Sequence, residues 1–172
     1  MVCGFFLLGA MGCPNNGRDT EIINEKGGNF PDFLVGTWQM QDDKWELTFD
    51  SDGKISLIKH HFVTVPIVPA KGGAYEQGRD GAYSIYTMGP CIAQYDRASR
   101  ELNVVITIDY FQVVLPVGKF EGKMTDSFRG RIYNGDTTWA AAWVSYVELD
   151  GAENPDPNSI QPVKVVFTKV QN

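Results

Sequence analysis

The chain has 172 residues, a formal net charge of −6 at pH 7 and an apolar content of 43%. These values predict one acidic domain of ordinary size with a single core. Lys and Arg are not clustered in any run or stripe of the sequence. Binding through phosphates or anionic lipid headgroups needs clustered basic residues, so the composition argues against nucleic acid as a partner and against purely electrostatic membrane attachment.

The first thirteen residues form an apolar run that ends in Ala10-Met11-Gly12-Cys13. The stretch from Val2 to Ala10 is too short to cross a bilayer, which takes roughly 20 residues. It has the length of the apolar core of a signal peptide. The pattern resembles the end of a bacterial lipoprotein signal peptide. The alternative interpretation is an apolar N-terminal strand or a ragged end of a soluble domain.

The lipoprotein resemblance implies cleavage before Cys13, so that residues 1–12 are the signal peptide. Cys13 then carries the lipid, and the protein is exported and anchored to the cell envelope, at the outer membrane or the periplasmic face. Residues 13–32 are mostly polar and rich in Gly and Asn after Cys13, which predicts a flexible tether. Residues 33–172 are expected to form the folded domain.

From Gly36 onward, apolar and polar residues alternate with a period of two, as in Trp45, Leu47 and Phe49. Side chains two apart in a strand share a face, so this pattern predicts strands. We expect an all-β fold of about nine strands, either an antiparallel up-and-down β-barrel or a β-sandwich. Phe30–Leu34 is expected to form a short turn or helical plug. The expected strands are 36–41, 44–50, 54–65, 73–77, 82–96 with a break near Gly89-Pro90, 101–115, 119–133, 137–148 and 162–170.

Asp50-Ser51-Asp52-Gly53 predicts a hairpin loop, in which Gly53 takes the left-handed conformation. Leu34-Val35-Gly36-Thr37-Trp38 and the segment Lys44–Gly53 resemble the first two strands of lipocalin-like, or calycin-type, barrels. The resemblance implies that Trp38 plugs a closed end and that the barrel mouth holds a small apolar or amphipathic ligand. The family places an arginine against that tryptophan. The candidates for this position are Lys164, Lys169, Arg129 and Arg131.

The segment Trp139-Ala140-Ala141-Ala142-Trp143 combines large and small side chains in one expected strand. Alanine is depleted in strands, so it either fits the taper of a packed barrel or leaves room for a ligand. Six aromatic residues are the candidate ligand-binding residues: Trp38, Tyr83, Tyr86, Tyr110, Trp139 and Trp143.

Residues suited to catalysis or metal binding are scarce. His60 and His61 are the only histidines, and neighbours in a strand face opposite ways, so they cannot chelate one metal together. Asp109 and Asp126 lie in apolar or mixed strands, yet nothing pairs either of them with a base. The loop acids Glu148, Asp150, Glu153 and Asp156 suit a weak calcium site or a solvated rim. We therefore expect no catalytic residue, no metal and no cofactor.

Processing at Cys13 would remove Cys3 and acylate Cys13, which leaves Cys91 as the remaining thiol. Its apolar setting predicts a buried, unreactive side chain, and a reactive thiol is the alternative. The sequence as a whole predicts a membrane-tethered, non-catalytic, lipocalin-like lipoprotein with a small apolar or amphipathic ligand. The alternative is a packed β-domain without a cavity that acts as an envelope scaffold or binds another envelope protein.

Overall fold

The computed structural model describes residues 30–42, 44–60, 63–78 and 80–171. It confirms the predicted all-β barrel, because these residues form ten antiparallel strands and no α-helix. The strands are β1 (Gly36–Met40), β2 (Trp45–Phe49), β3 (Ile55–His60), β4 (Val63–Ile67), β5 (Gly73–Gln77), β6 (Tyr83–Asp96), β7 (Glu101–Leu115), β8 (Gly118–Tyr133), β9 (Thr138–Leu149) and β10 (Val163–Lys169).

The strands form one sheet in the order β4-β3-β2-β1-β10-β9-β8-β7-β6-β5. Strands that follow each other in the chain are paired, apart from β4 and β5, and the sheet continues from β1 to β9 through β10. The end strands β4 and β5 approach each other without a registered pairing. The result is an up-and-down barrel that is nearly closed.

The prediction of a single strand over 54–65 is wrong. The chain reverses between His60 and Val63, which pair with each other across β3 and β4. The segment therefore supplies two short strands. Apolar and β-branched residues continue on both sides of the reversal, and no Gly, Asn or Pro lies within it. Because turns are usually recognised by those residues, the sequence pattern conceals this one.

The break predicted near Gly89-Pro90 does not interrupt β6. Instead, the pairing of β6 with β7 shifts register between Met88 and Cys91. A register shift of this kind absorbs extra residues while the strand continues. Proline is tolerated at such a position because it has no N–H to contribute to the ladder.

The predicted hairpin loop after β2 is confirmed. Gly53 has a φ of 76°, in the left-handed region that glycine adopts without a steric penalty. The Asp50 carboxylate stabilises the loop, because its Oδ1 accepts hydrogen bonds from the N–H groups of Asp52 at 3.0 Å and Lys54 at 2.8 Å.

The segment before β1 closes one end of the barrel, as the sequence predicts. Asp32–Leu34 forms a single turn of 3-10 helix, and Phe30 and Leu34 are buried in the core. Trp38 is also buried, and its Nε1 donates a hydrogen bond to the carbonyl oxygen of Leu34 at 2.9 Å. This bond ties the plug to the first strand and satisfies the indole N–H.

Lys169 is the basic residue that lies opposite Trp38. The two residues are register partners in β10 and β1, and Lys169 Nζ donates a hydrogen bond to the carbonyl oxygen of Phe33 at 2.6 Å. A lysine of the last strand therefore holds the plug against the closed end. The other basic candidates for this position are exposed: Lys164, Arg129 and Arg131.

Replacing Lys169 by alanine is expected to lower the free energy of unfolding by about 1–2 kcal/mol, because the Phe33 carbonyl loses a charged donor. Urea unfolding measures the change. Lys164→Ala is the matched control, since Lys164 is exposed on the same strand and its loss should change stability by less than about 0.5 kcal/mol. Equal effects of the two substitutions would contradict this account of the closed end.

The centre of the core is a group of aromatic rings around Phe128, which we call the Phe128 cluster. The ring centroid of Phe128 lies 5.2 Å from that of Trp45, 6.1 Å from those of Trp139 and Trp143, and 5.5 Å from that of Phe167. Most of these pairs meet edge to face, an arrangement that aromatic rings favour. The cluster joins β2, β8, β9 and β10 across the barrel interior.

Candidate ligand-binding cavity

The half of the barrel away from the plug contains a cavity of about 200 Å³. Its wall is formed by inward-facing side chains of seven strands, β2, β3, β4, β6, β7, β8 and β9. Almost the whole wall is apolar. The lining residues are Trp45, Ile58, His60, Ile67, Tyr86, Ile106, Ile108, Phe111, Val113, Met124 and Val147.

A bulge in β7 shapes this wall. Strict alternation would place Ile106, Ile108 and Tyr110 on one face. The pairing of β7 with β8 instead shifts between Ile108 and Phe111, so that Phe111 follows Ile108 on the inner face. Tyr110 turns outward, beside the exposed Thr87. The bulge therefore gives the cavity a phenylalanine where the simple pattern would place a tyrosine.

Three side chains that carry polar atoms lie in the otherwise apolar wall: His60, Trp45 and Tyr86. His60 is buried, and its imidazole ring meets the Trp45 indole edge to face with centroids 4.1 Å apart. Trp45 is 2% exposed, and its Nε1 is buried without a hydrogen-bond partner. A buried tryptophan N–H usually finds an acceptor. Trp45 therefore carries a buried hydrogen-bond donor that the protein itself leaves unsatisfied.

Asp126 lies next to the cavity wall, and its side chain is 1% exposed. Its register partner in β7 is Ile106, which lines the cavity. Trp143 Nε1 donates a hydrogen bond to Asp126 Oδ1 at 2.8 Å, whereas Oδ2 is buried without a partner at hydrogen-bonding geometry. Burial raises the pKa of this carboxyl, and the Trp143 indole and Ser145 hydroxyl act in the opposite direction.

The six aromatic residues proposed from the sequence fall into three places. Tyr86 lines the cavity, and burial raises the pKa of its phenol. Trp143 adjoins it, with its ring centroid 6.3 Å from that of Trp45. Trp38 and Trp139 are buried in the closed half of the barrel, where Trp139 stacks on Phe167 with centroids 4.7 Å apart.

Tyr83 and Tyr110 lie on the outer face of the sheet, in a hydrogen-bond network. Tyr83 Oη donates to Gln112 Oε1 at 2.8 Å. Gln112 Nε2 donates to Tyr110 Oη at 2.8 Å, and Tyr110 Oη donates to Glu121 Oε2 at 3.0 Å. The structure therefore does not bring these two tyrosines together with Tyr86.

Most residues of the cavity wall were not among the ligand-binding candidates chosen from the sequence. Trp45 and Phe111 are the aromatic members of the wall that were not chosen. The alternation of Trp45, Leu47 and Phe49 does place Trp45 on the inner face. No sequence signal separates an inner residue that lines a cavity from one that packs. From the sequence, His60 was expected to be a solvated or hydrogen-bonded side chain rather than a metal ligand.

Several other predicted features can be located. Cys91 is partly buried against the core, and burial raises the pKa of its thiol to about 11, which keeps it protonated at neutral pH. Glu148 lies near the end of β9 and Asp150, Glu153 and Asp156 lie in the loop after it, and these four acids are not grouped so that they could hold a metal ion. The proposed signal peptide, Cys13, the tether as far as residue 29 and the side chain of His61 lie outside the described residues.

In the described ranges, no three His, Cys, Asp or Glu side chains are grouped so that they could hold a metal ion. Among these same residues, there is no helix with the length and apolar character needed to cross a bilayer. Comparison with protein-family models, curated proteins and solved structures finds no match to this chain.

Proposed function

We propose that this chain is a non-catalytic binding protein that holds a small apolar or amphipathic ligand inside its barrel. The observation that carries the proposal is the cavity of about 200 Å³ with an almost entirely apolar wall. Cavities of this kind, with few polar groups, are the usual form of small-molecule binding sites. A packed core normally contains few voids larger than a water molecule.

The volume sets the size of the ligand. An apolar cavity of about 150 Å³ is known to stay dry and to accept benzene. A cavity of about 200 Å³ therefore suits a single substituted ring or a short branched chain, and it is too small for a whole lipid. The plug and the Phe128 cluster fill the opposite half of the barrel. The space for a ligand is therefore in the half that contains the cavity.

The resemblance to lipocalin-like proteins supports the same use of the barrel. The closed end formed by Trp38 and the plug corresponds to what that resemblance implies. We accordingly propose a lipocalin-like mode of binding, with the ligand held by inward-facing side chains. Tyr86, Trp45 and Phe111 would form its aromatic contacts.

Titration with toluene, followed by tryptophan fluorescence and by thermal unfolding, tests the proposal. Toluene should quench or shift the fluorescence and raise the melting temperature, because a ligand that binds the native state stabilises it. Val147→Phe, which places a ring in the cavity, should weaken binding at least about tenfold, equivalent to 1.4 kcal/mol. Val144→Phe is the matched control, because Val144 faces outward on the same strand.

Two results would contradict the proposal. The first is a failure of toluene, cyclohexane and short-chain alkanes to bind the wild-type chain at all. The second is equal loss of binding in Val147→Phe and Val144→Phe, which would place the probe outside the barrel.

We also propose that the protein is held at the cell envelope by a lipid on Cys13. The support is the pattern Ala10-Met11-Gly12-Cys13 after an apolar run. Several acyl chains on one cysteine give stable anchoring, since each buried methylene adds about 0.8 kcal/mol. Mass spectrometry of the protein from its own host should find an acylated Cys13 as the first residue. An uncleaved, unmodified Met1 would refute the anchor.

A second candidate function is the binding of another protein of the envelope. The hairpin between β7 and β8 exposes Leu115, Val117 and Phe120, of which Val117 is 84% exposed. Exposed apolar side chains that are grouped in this way are typical of interaction surfaces. A photo-crosslinker at Val117 should capture one dominant partner in cells, and one at the exposed Lys123 on β8 should not.

A further inference from the structure

The apolar wall of the cavity continues onto the hairpin between β7 and β8. The inward-facing residues of β7 become steadily more exposed toward this hairpin: Ile106 is 1% exposed, Ile108 3%, Phe111 9% and Leu115 42%. Val113, which lines the cavity between Phe111 and Leu115, is partly exposed. This gradient shows that the cavity opens toward the hairpin and that its wall extends beyond the opening.

Leu115 on β7 and Phe120 on β8 form this extension, which we call the rim strip. Leu115 lies on the same face as Val113, since residues two apart in a strand share a face. Phe120 is the register partner of Val113, so their side chains lie next to each other on the inner face. Phe120 is 44% exposed. The rim strip therefore adjoins the cavity wall directly and leaves apolar surface in contact with water.

The polar side chains of the hairpin lie on its other face. Gln112 Nε2 donates a hydrogen bond to Glu121 Oε2 at 3.1 Å, and Lys119 Nζ lies 2.7 Å from the same oxygen. These three residues alternate along β7 and β8 with those of the inner face. They are satisfied by one another on the outer face, so the rim strip offers a ligand apolar contact.

We propose that the ligand is an amphiphile with a single unbranched aliphatic chain, whose end fills the cavity and whose adjoining carbons lie on the rim strip. This inference rests on the proposed function, because it names the class of ligand for the same cavity. The polar head group lies in water beyond Leu115. The acidic balance of the chain places no requirement on that group, and the aliphatic chain supplies the affinity.

The dimensions of the site set the length of the aliphatic chain. An apolar cavity of about 150 Å³ accepts the six carbons of benzene. The cavity of about 200 Å³ therefore holds roughly six to eight carbons. Leu115 lies about 6.7 Å beyond Val113 along the strand, which gives room for roughly four or five further carbons.

Other occupants use only part of this surface. A single ring fills the cavity and leaves the rim strip in water. A protein partner that covers the rim strip leaves the cavity empty. An unbranched chain is narrow enough to continue from the cavity onto Leu115 and Phe120, and every methylene that leaves water on the way adds to the affinity.

A series of 1-alkanols from butanol to decanol, measured by isothermal titration calorimetry, tests the inference. While the chain end fills the cavity, each added methylene should strengthen binding about fourfold, as full burial does. On the rim strip burial is one-sided, so the gain should continue at about twofold per methylene. Decanol should therefore bind about fourfold more tightly than octanol.

The double variant Leu115→Ala/Phe120→Ala removes the rim strip. It should weaken decanol binding at least about fourfold and leave hexanol within about twofold of the wild-type chain. Val114→Ala is the matched control, because Val114 lies on the outer face of the same hairpin, where its register partner is Lys119. It should leave both alkanols unchanged. If the double variant does not fold, the methyl resonances of Leu115 in the wild-type chain decide, because they should move with decanol and stay in place with hexanol.

The outcomes separate this inference from the proposed function. If toluene and hexanol bind and decanol binds no more tightly than octanol, the cavity is a binding site and the aliphatic chain on the rim strip is overturned. Equal effects of the double variant and Val114→Ala on decanol, or equal losses of hexanol and decanol in the double variant, would overturn it as well. If no probe binds, the proposed function fails and this inference fails with it.

Discussion

Phe128→Ala is expected to lower the free energy of unfolding by about 4 kcal/mol, within the range of 3–5 kcal/mol for removing a fully buried phenylalanine. The side chain is 0% exposed and lies at the centre of the Phe128 cluster. Its loss leaves a cavity between four neighbouring aromatic rings, which are held on three different strands and cannot collapse into the space. Urea or thermal unfolding followed by circular dichroism measures the effect.

Phe120→Ala is the control for this substitution. Phe120 lies on the same strand, β8, but is 44% exposed on the hairpin that extends beyond the barrel. Its replacement should cost less than about 1 kcal/mol, because little apolar surface leaves water when it folds. Comparable losses in the two variants would mean that the cluster does not anchor the core.

Asp126→Asn is expected to stabilise the chain at neutral pH by about 1–3 kcal/mol, the order of the desolvation cost of a buried group, because the amide never carries the charge that burial disfavours, and to have little effect in acid. Burial raises the pKa of Asp126 in the folded chain. Below the unfolded-state pKa of about 3.9, both states hold the proton. As the pH rises above that value, the unfolded state loses its proton first, so the wild-type chain loses stability until the folded-state pKa is passed.

Urea unfolding at a series of pH values between about 3 and 7 measures this difference. The gap between Asp126→Asn and the wild-type chain should widen as the pH rises. Asp109→Asn is the control, because Asp109 lies on the neighbouring strand with an exposed side chain, and its replacement should change stability by less than about 0.5 kcal/mol. A gap that is constant across the series would show that Asp126 does not titrate differently in the two states.

The strands could be predicted from the sequence because each of them places apolar side chains on one face. Alternation over β2, β7 and β9 gave their positions to within a residue or two. It failed at His60–Val63, where the chain turns back with no turn-forming residue to mark the place. Alternation with a period of two shows on which face of the sheet a residue lies. It does not show where the chain turns back when no Gly, Asn or Pro marks the turn.

The cavity was harder to predict than the barrel. Whether an inward-facing residue packs or lines a cavity depends on the combined volume of side chains from seven strands. The sequence of one strand does not give that volume. The bulge in β7 also places Phe111 on the inner face, where simple alternation would place Tyr110. Bulges are set by the pairing of two strands, so one strand's sequence shows them poorly. Of the segment Trp139–Trp143, for which the sequence left packing or a pocket open, Trp139 and Ala141 are buried in the core, whereas Ala142 is exposed.

The position of β10 has a consequence for how the barrel is made. The first four strands form one meander and the next five form another, and in the described part of the chain the two are united by ladders through β10. During synthesis on the ribosome, the two meanders therefore cannot be joined through β10 until that strand has emerged. Such long-range closure is slow compared with hairpin formation. Truncation before Val163 should leave two unjoined halves with exposed edges, and such edges favour aggregation.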